Sequence, residues 1–301
     1  MRPLDGHLVV DLTRYLPGPF ASRELLELGA RVVRIEPPGG DPMRVTAPAW
    51  HEVLNAGKES ITCDLKAEPE RARALCAEAD VVIEGFRPGV ADRLGVGASD
   101  LPDTLVYCSI TGFGLGGQHE QRAGHDLNYQ GWAGLLADTA PALAPVQVAD
   151  LAAGSLAAVN RILAALLERV KTGRGAHLVI SMTHGSHRFA AHRLGGEPLP
   201  KLLTGGLACY RVYPTADGRY VTVAALEEKF FARLCELLGL EELAPRQYEP
   251  SSQSELGDTL AEAFASKPLA TWLELFDRED VCVGPVATLE EASAELEGLP
   301  R

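Results

Sequence analysis

The chain has 301 residues, is 46% hydrophobic, and carries a formal net charge of −13 from 41 acidic and 28 basic side chains. That apolar content excludes a disordered polymer and supports one or two domains with a sizeable core. The acidic balance argues against a general nucleic-acid binder.

The first half alternates strands with helices. HLVVDLT (7–13) reads as a strand, punctuated by Pro17, Gly18 and Pro19 before a helical run from Phe20 to Leu28 that Gly29 would end. RVVRIE (31–36) is a second strand and PPGGD (37–41) a turn. SITCDL (60–65) precedes helical KAEPERARALCAEA, and strands follow at 79–86 and 104–113. This alternation predicts a largely parallel sheet covered by helices. Asp150 opens the longest helical stretch as an N-cap, with Gly173 as its stop. AHLVISM (176–182) returns to strand, and 183–193 to helix.

After Leu194 the glycine- and proline-rich GGEPLPKLLTGG reads as a linker. A hairpin over YRVYPTADGRYVTVAAL turns at Asp217–Gly218, and EEKFFARLCELLGL reads as a helix. Helices near 256–267 and 269–277, a short strand at 281–286 and a last helix in LEEASAELEGL follow. The expected division is a large α/β domain at 1–194, a linker and small α+β domain at 195–286, and a C-terminal helix at 287–301 that could return to the large domain. Cys63, Cys76, Cys108, Cys209, Cys235 and Cys282 are scattered without a CxxC pair, so a metal site or disulfide framework is not expected. The start MRPLDGHLVVDLTR lacks a signal-peptide pattern, and no apolar run reaches the ~18 residues of a membrane span. A cytoplasmic protein is the expectation.

Particular strings say more than periodicity. VVDLTRYLPGPFASRELLELGARVVRIEPPGGDPMR, NAGKESITCDLK, VVIEGFRPGVADRLGVG and TGFGLGGQHEQRAGHDLNYQGWAGLL resemble successive segments of the family III (CaiB/BaiF-like) CoA-transferases, which include the 2-methylacyl-CoA racemases. GRGAHLVISM and DGRYVTVAALEEKFF resemble later segments, so the resemblance covers most of the chain. It implies a Rossmann-like large domain and a smaller α+β domain in an interlocked homodimer. It also implies an acyl-CoA thioester as substrate, with coenzyme A as part of it and no further cofactor.

Racemisation beside a thioester carbonyl needs a base on one face of the α-carbon and an acid on the other. An imidazole accepts and returns a proton near neutral pH, and a carboxyl can do so once its environment is tuned. The resemblance assigns these roles to His125, in AGHDLNY, and to Asp150. It adds Glu227, in VAALE, as a group that orients or tunes the histidine. The local readings stay open beside these: His125 as the cap of a turn, Asp126 as a residue holding that loop, Asp150 as an ordinary N-cap and Glu227 as a helix start. Arg34 and Arg87, at strand ends, match positions that hold the nucleotide or phosphates in relatives, with Arg44 and Lys58 as weaker candidates. GFGLGG (112–117) is neither a Walker loop nor GxGxxG opening a helix, and reads as a wall of the acyl-CoA approach.

Two other readings remain. Family III transferases use an aspartate at the position of Asp150 as a nucleophile, which forms an acyl anhydride and then a CoA thioester. They commonly lack the histidine of the GHD string, so His125 favours proton transfer. A catalytically inactive acyl-CoA-binding protein is the third reading. The chain is shorter than is usual for the racemases, and QGWAGLL and APVQVAD depart from their usual strings.

Overall fold

A computed structural model of the chain describes residues 1–196 and 201–297. They form two compact units, Met1–Leu194 and Gly195–Arg301. GGEPLPKLLTGG lies partly outside the described residues.

The first unit holds a six-stranded sheet of β1 (Leu8–Asp11), β2 (Arg31–Glu36), β3 (Glu59–Thr62), β4 (Val81–Glu84), β5 (Val106–Thr111) and β6 (Ala176–Ser181). Their spatial order is β3-β2-β1-β4-β5-β6 and every pair is parallel. The central strands are apolar at nearly every position because both faces are covered. Val9, Val81, Ile83 and Val106 face one core, packed by the helices Pro17–Glu27 and Ala157–Thr172. Val10, Val82 and Tyr107 face another, packed by the helix Pro69–Ala77. The order reverses between β1 and β4, and such a switch point leaves a crevice at the carboxyl ends of the strands.

The first helix starts at Pro17 rather than Phe20. Proline suits the first helical turn because that turn leaves its N–H unpaired in any case. Gly18 cannot be replaced there without displacement: a Cβ would lie 2.1 Å from Thr13 Oγ1. Thr13 has little room to yield, since its amide and hydroxyl both donate to buried Asp11. Gly18→Ala is expected to cost about 2–3 kcal/mol by overpacking, read as a lowered thermal midpoint.

The longest helix differs from the sequence expectation at its start. The run begins at Ala149, and Ala149–Leu156 is wound as a π-helix before the α-helix Ala157–Thr172. Asp150 is therefore not the N-cap; it lies in the first turn. Gly173 ends the helix as expected, at φ +71°. By length and composition Ala149–Thr172 could cross a membrane, but Ala149, Ala158, Ile162 and Leu166 belong to the hydrophobic core. Four short helices escaped the sequence reading: Met43–Thr46, Pro48–Asn55, Val90–Arg93 and Asp126–Ala133.

The second unit holds the antiparallel hairpin of β7 (Tyr210–Pro214) and β8 (Tyr220–Ala224), extended by β9 (Val283–Pro285). Its core joins Tyr213, Val221 and Val223 to Phe231, Leu234, Leu260, Phe264 and Trp272. The last helix, Leu289–Leu296, is tied to this unit by Glu291, which accepts from Arg219. Five cysteines are buried and Cys282 is exposed.

Candidate active site

A cavity of about 510 Å³ opens at the carboxyl ends of β1, β4 and β5. Thr13 to Tyr15, Pro17 and Gly18 follow β1, Gly85 to Pro88 follow β4, and Ile110 to Gly112 end β5. The loop carrying Glu120 and Arg122 to His125 closes one side, with Asp150 and Met182 completing the wall. Tyr15 holds a left-handed φ of +67° at the rim, a conformation that costs a non-glycine residue energy.

His125 is the N-cap of the helix Asp126–Ala133, with extended backbone at φ −127° and ψ 176°. Its amide donates to Asn128 Oδ1 at 3.0 Å, and its carbonyl accepts from Asn128 N at 2.8 Å. The backbone thus caps a turn while the exposed imidazole lines the cavity, free of hydrogen bonds to other described residues. The two readings of GHD are compatible.

Asp126 performs the capping expected of Asp150. Its Oδ1 accepts from the amides of Ala149 at 2.8 Å and Asp150 at 3.0 Å, and its Oδ2 accepts from Gln130 Nε2 at 2.5 Å. The histidine loop and the start of the long helix are pinned together by this one buried carboxylate. Asp150 itself carries no side-chain hydrogen bond within the described chain. Burial, and secondarily the neighbouring Asp126 carboxylate, push its carboxyl up to about 7. Asp126→Ala is expected to cost about 2 kcal/mol through the lost cap. Asp126→Asn removes the neighbouring charge and should lower the Asp150 titration, measurable by carboxyl-labelled NMR.

The proposed CoA contacts occupy different surroundings. Arg87 is exposed and lines the cavity. Arg34 is 1% exposed and donates to Glu36 at 3.0 Å and Asp41 at 2.7 Å. Arg44 donates to Glu36 at 2.7 Å. The Arg44 hydrogen bond is the chief cause that holds the Glu36 carboxyl down at about 2. Lys58 donates to Pro19 O, Ser22 Oγ and Asn55 Oδ1 at 2.7, 2.8 and 3.0 Å, and burial lowers its ammonium to about 8. Arg34, Arg44 and Lys58 are not among the residues that line this cavity. Glu227 is exposed on the second unit, at the N-cap of the helix Glu228–Leu238. Within GFGLGG only Gly112 lines the cavity.

Arg14 and Arg122 line the cavity and were not singled out from the sequence. The signal for Arg14 was its place directly after the first strand, and for Arg122 its place within the GHD string. Among the described residues, no group of three or more His, Cys, Asp or Glu side chains is placed to hold a metal ion.

A parallel sheet with a switch-point cavity that carries a histidine and a perturbed carboxyl defines an α/β protein built to act on a bound small molecule. Residues 4–298 match CoA-transferase family III, and the chain belongs to that family. It is 36% identical to human alpha-methylacyl-CoA racemase, over 96% of this chain and 78% of that protein. It is 33% identical to mouse succinyl-CoA:glutarate CoA-transferase, over 99% of this chain and 75% of that protein. A CAIB/BAIF family protein from Brucella suis superposes with a TM-score of 0.82 at 32% identity, covering 97% of this chain and 86% of that structure. The fold is that of the family, whose members transfer CoA or isomerise acyl-CoA thioesters.

Proposed function

We propose that this chain catalyses 1,1-proton transfer at the α-carbon of a 2-methylacyl-CoA. The observation that carries the reading is the presence of His125 and a protonatable Asp150 in one cavity. One group removes the α-proton and the electron pair moves onto the thioester oxygen as an enolate. The other returns a proton to the opposite face, and the pair ends with its proton exchanged between the two sites. The helix that begins at Pro17 turns its positive end toward the same cavity and would favour the developing oxyanion. Glu227 keeps its proposed role in tuning the histidine, and an interlocked cytoplasmic homodimer completes the proposal.

CoA transfer is the second reading, and the comparisons favour it over the first. Relatives named as CoA-transferases for glutarate, oxalate and citramalate stand at 31–35% identity, close to the racemases. Here the ionised Asp150 would attack the thioester carbonyl and expel CoA thiolate, leaving an acyl anhydride.

The test is incubation with each epimer of a 2-methylacyl-CoA in D2O. α-Deuterium incorporation with inversion, lost in His125→Ala, supports proton transfer. Passage of labelled CoA to an added carboxylate without exchange moves the assignment to transfer. Binding with neither reaction leaves a non-catalytic acyl-CoA-binding protein. The pH profiles separate the two reactions as well. Racemisation requires one proton shared by the His125–Asp150 pair in either direction. Its kcat/KM is therefore a bell of the same shape for both epimers, with a limb near the Asp150 value of about 7. Transfer needs only ionised Asp150, so its rate rises through about pH 7 and levels off.

A further inference from the structure

Two parts of the cavity wall, far apart in the chain, are joined by one buried hydroxyl. Ser155 Oγ lies 2.6 Å from Pro17 O, in the first turn of the helix Pro17–Glu27, and 3.0 Å from Asp150 O. Both acceptors are carbonyl oxygens, so the one hydroxyl proton is shared between them, with the bond to Pro17 the shorter. Ser155 is 0% exposed, while Pro17 and Asp150 both line the cavity.

The reach of that hydroxyl follows from the winding of the turn. In an α-helix a serine side chain meets a carbonyl three or four residues back. Asp150 is five back. Ala157 N likewise donates to Ala152 O, the i→i+5 pattern of the π-helix Ala149–Leu156. Rewinding this turn to the commoner i→i+4 ladder would swing Asp150 about the axis by roughly 100°, the rotation of one helical residue. A sideways shift is closed to it: a Cβ on Gly185, in the helix Met182–Ala190, would lie 2.8 Å from Ala153 Cβ. The first turn of the helix Pro17–Glu27 is anchored in its own right, because Lys58 Nζ donates to Pro19 O at 2.7 Å.

The backbone of Asp150 is therefore held on both sides of its Cα. Its amide donates to Asp126 Oδ1 at 3.0 Å, and its carbonyl accepts from Ser155 Oγ at 3.0 Å. No described residue donates to its carboxyl, so the winding of the turn and these backbone bonds set where the carboxyl points. Without the hydroxyl, the π-wound turn is untied from Pro17 and the α ladder becomes the competing arrangement.

We infer that Ser155 is a positioning residue: its hydroxyl ties the π-wound turn to Pro17 and so fixes the Asp150 carboxyl against the N-terminal end of the first helix. The inference rests on the reading of Asp150 as a reacting group, and holds whether proton transfer or CoA transfer follows.

Ser155→Ala, Ser155→Cys and Ala158→Gly test it together. Ala158 is buried in the same helical run and does not line the cavity, so its loss weakens the helix without touching the hydroxyl. For whichever reaction the wild-type chain performs, Ser155→Ala should lower kcat about a hundredfold at an unchanged KM, the scale of a reacting group displaced by about 1 Å. The Asp150 carboxyl, followed by carboxyl-labelled NMR and assigned with Asp150→Asn, should move from about 7 toward 3.8 as the turned side chain regains water. Ser155→Cys, a weaker donor of similar shape, should fall between wild type and Ser155→Ala. Ala158→Gly should lower the thermal midpoint and leave kcat and the titration as in wild type. A Ser155→Ala chain with wild-type kcat and wild-type titration overturns the inference. So does one in which both move no further than in Ala158→Gly, which would reduce Ser155 to packing. If Ser155→Ala does not fold, Ser155→Cys carries the same comparison. A wild-type chain that performs neither reaction overturns the catalytic reading of Asp150. The titration then decides the tie by itself: a downward shift in Ser155→Ala supports it, and an unmoved carboxyl overturns it as well.

Discussion

Asp150→Asn is expected to lower α-proton exchange by about a thousandfold, the scale of a lost acid–base group, and to raise the stability of the fold at alkaline pH. The two effects share one cause. Burial, and then the charge of Asp126, lift the Asp150 carboxyl from 3.8 to about 7. A carboxyl raised in the folded state stabilises the fold below its unfolded value. That contribution is lost as pH rises from 3.8 to about 7, and above this an ionised carboxylate stands partly buried without a donor. Asparagine removes the charge and keeps the shape. The stability advantage of the variant should therefore grow across that window and stay flat above it. Its size is about 2 kcal/mol after allowance for residual solvent at the group. Chemical denaturation at a series of pH values checks the stability, and D2O exchange checks the rate. A variant that loses activity without gaining alkaline stability would show that the carboxyl is not held in the perturbed state described here.

The sequence made the frame of this site legible, but not its chemical surroundings. Runs such as LVVD, RVVRIE and VVIE are apolar throughout because helices cover both faces, and Gly173 marks a helix end by its need for positive φ. Asp126–Ala133 was not legible as a helix, because DLNYQGWA has no apolar period and its stability comes from Tyr129, Gln130 and Ala133 packing inward. Asp150 looked like a cap because an acid stood where a helix began; the cap is an acid 24 positions away, brought there by the fold. The same limit applies to the cations. In a linear string Arg34 and Lys58 resemble exposed phosphate ligands. Whether a cation faces solvent or a buried partner depends on chain segments far from it, as with Lys58 and Asp11, 3.8 Å apart.

Arg34→Met should therefore announce itself as a loss of stability. The guanidinium joins Glu36 at the end of β2 to Asp41 beyond the PPGG turn, and lies 3.2 Å from His51 Nε2. Asp41 is 2% exposed and, among the described residues, has no other cation within ion-pair reach; the other donor to its carboxylate there is the amide of Met43 at 2.9 Å. Glu36 is better protected, since Arg44 and Ser60 also donate to it. Removing Arg34 thus strands the Asp41 charge in the interior, at a cost of about 3–5 kcal/mol. In a unit of this size that lowers the thermal midpoint on the order of 10 °C. Arg34→Lys should recover little, because an ammonium cannot bridge both carboxylates in the plane that the guanidinium provides. Calorimetric scans measure the midpoint, and CoA titration well below the transition measures the site. The buried geometry predicts a large fall in the first and little change in the second. A phosphate ligand would give the reverse, a weakened Kd at an unchanged midpoint, and that outcome would return Arg34 to the substrate.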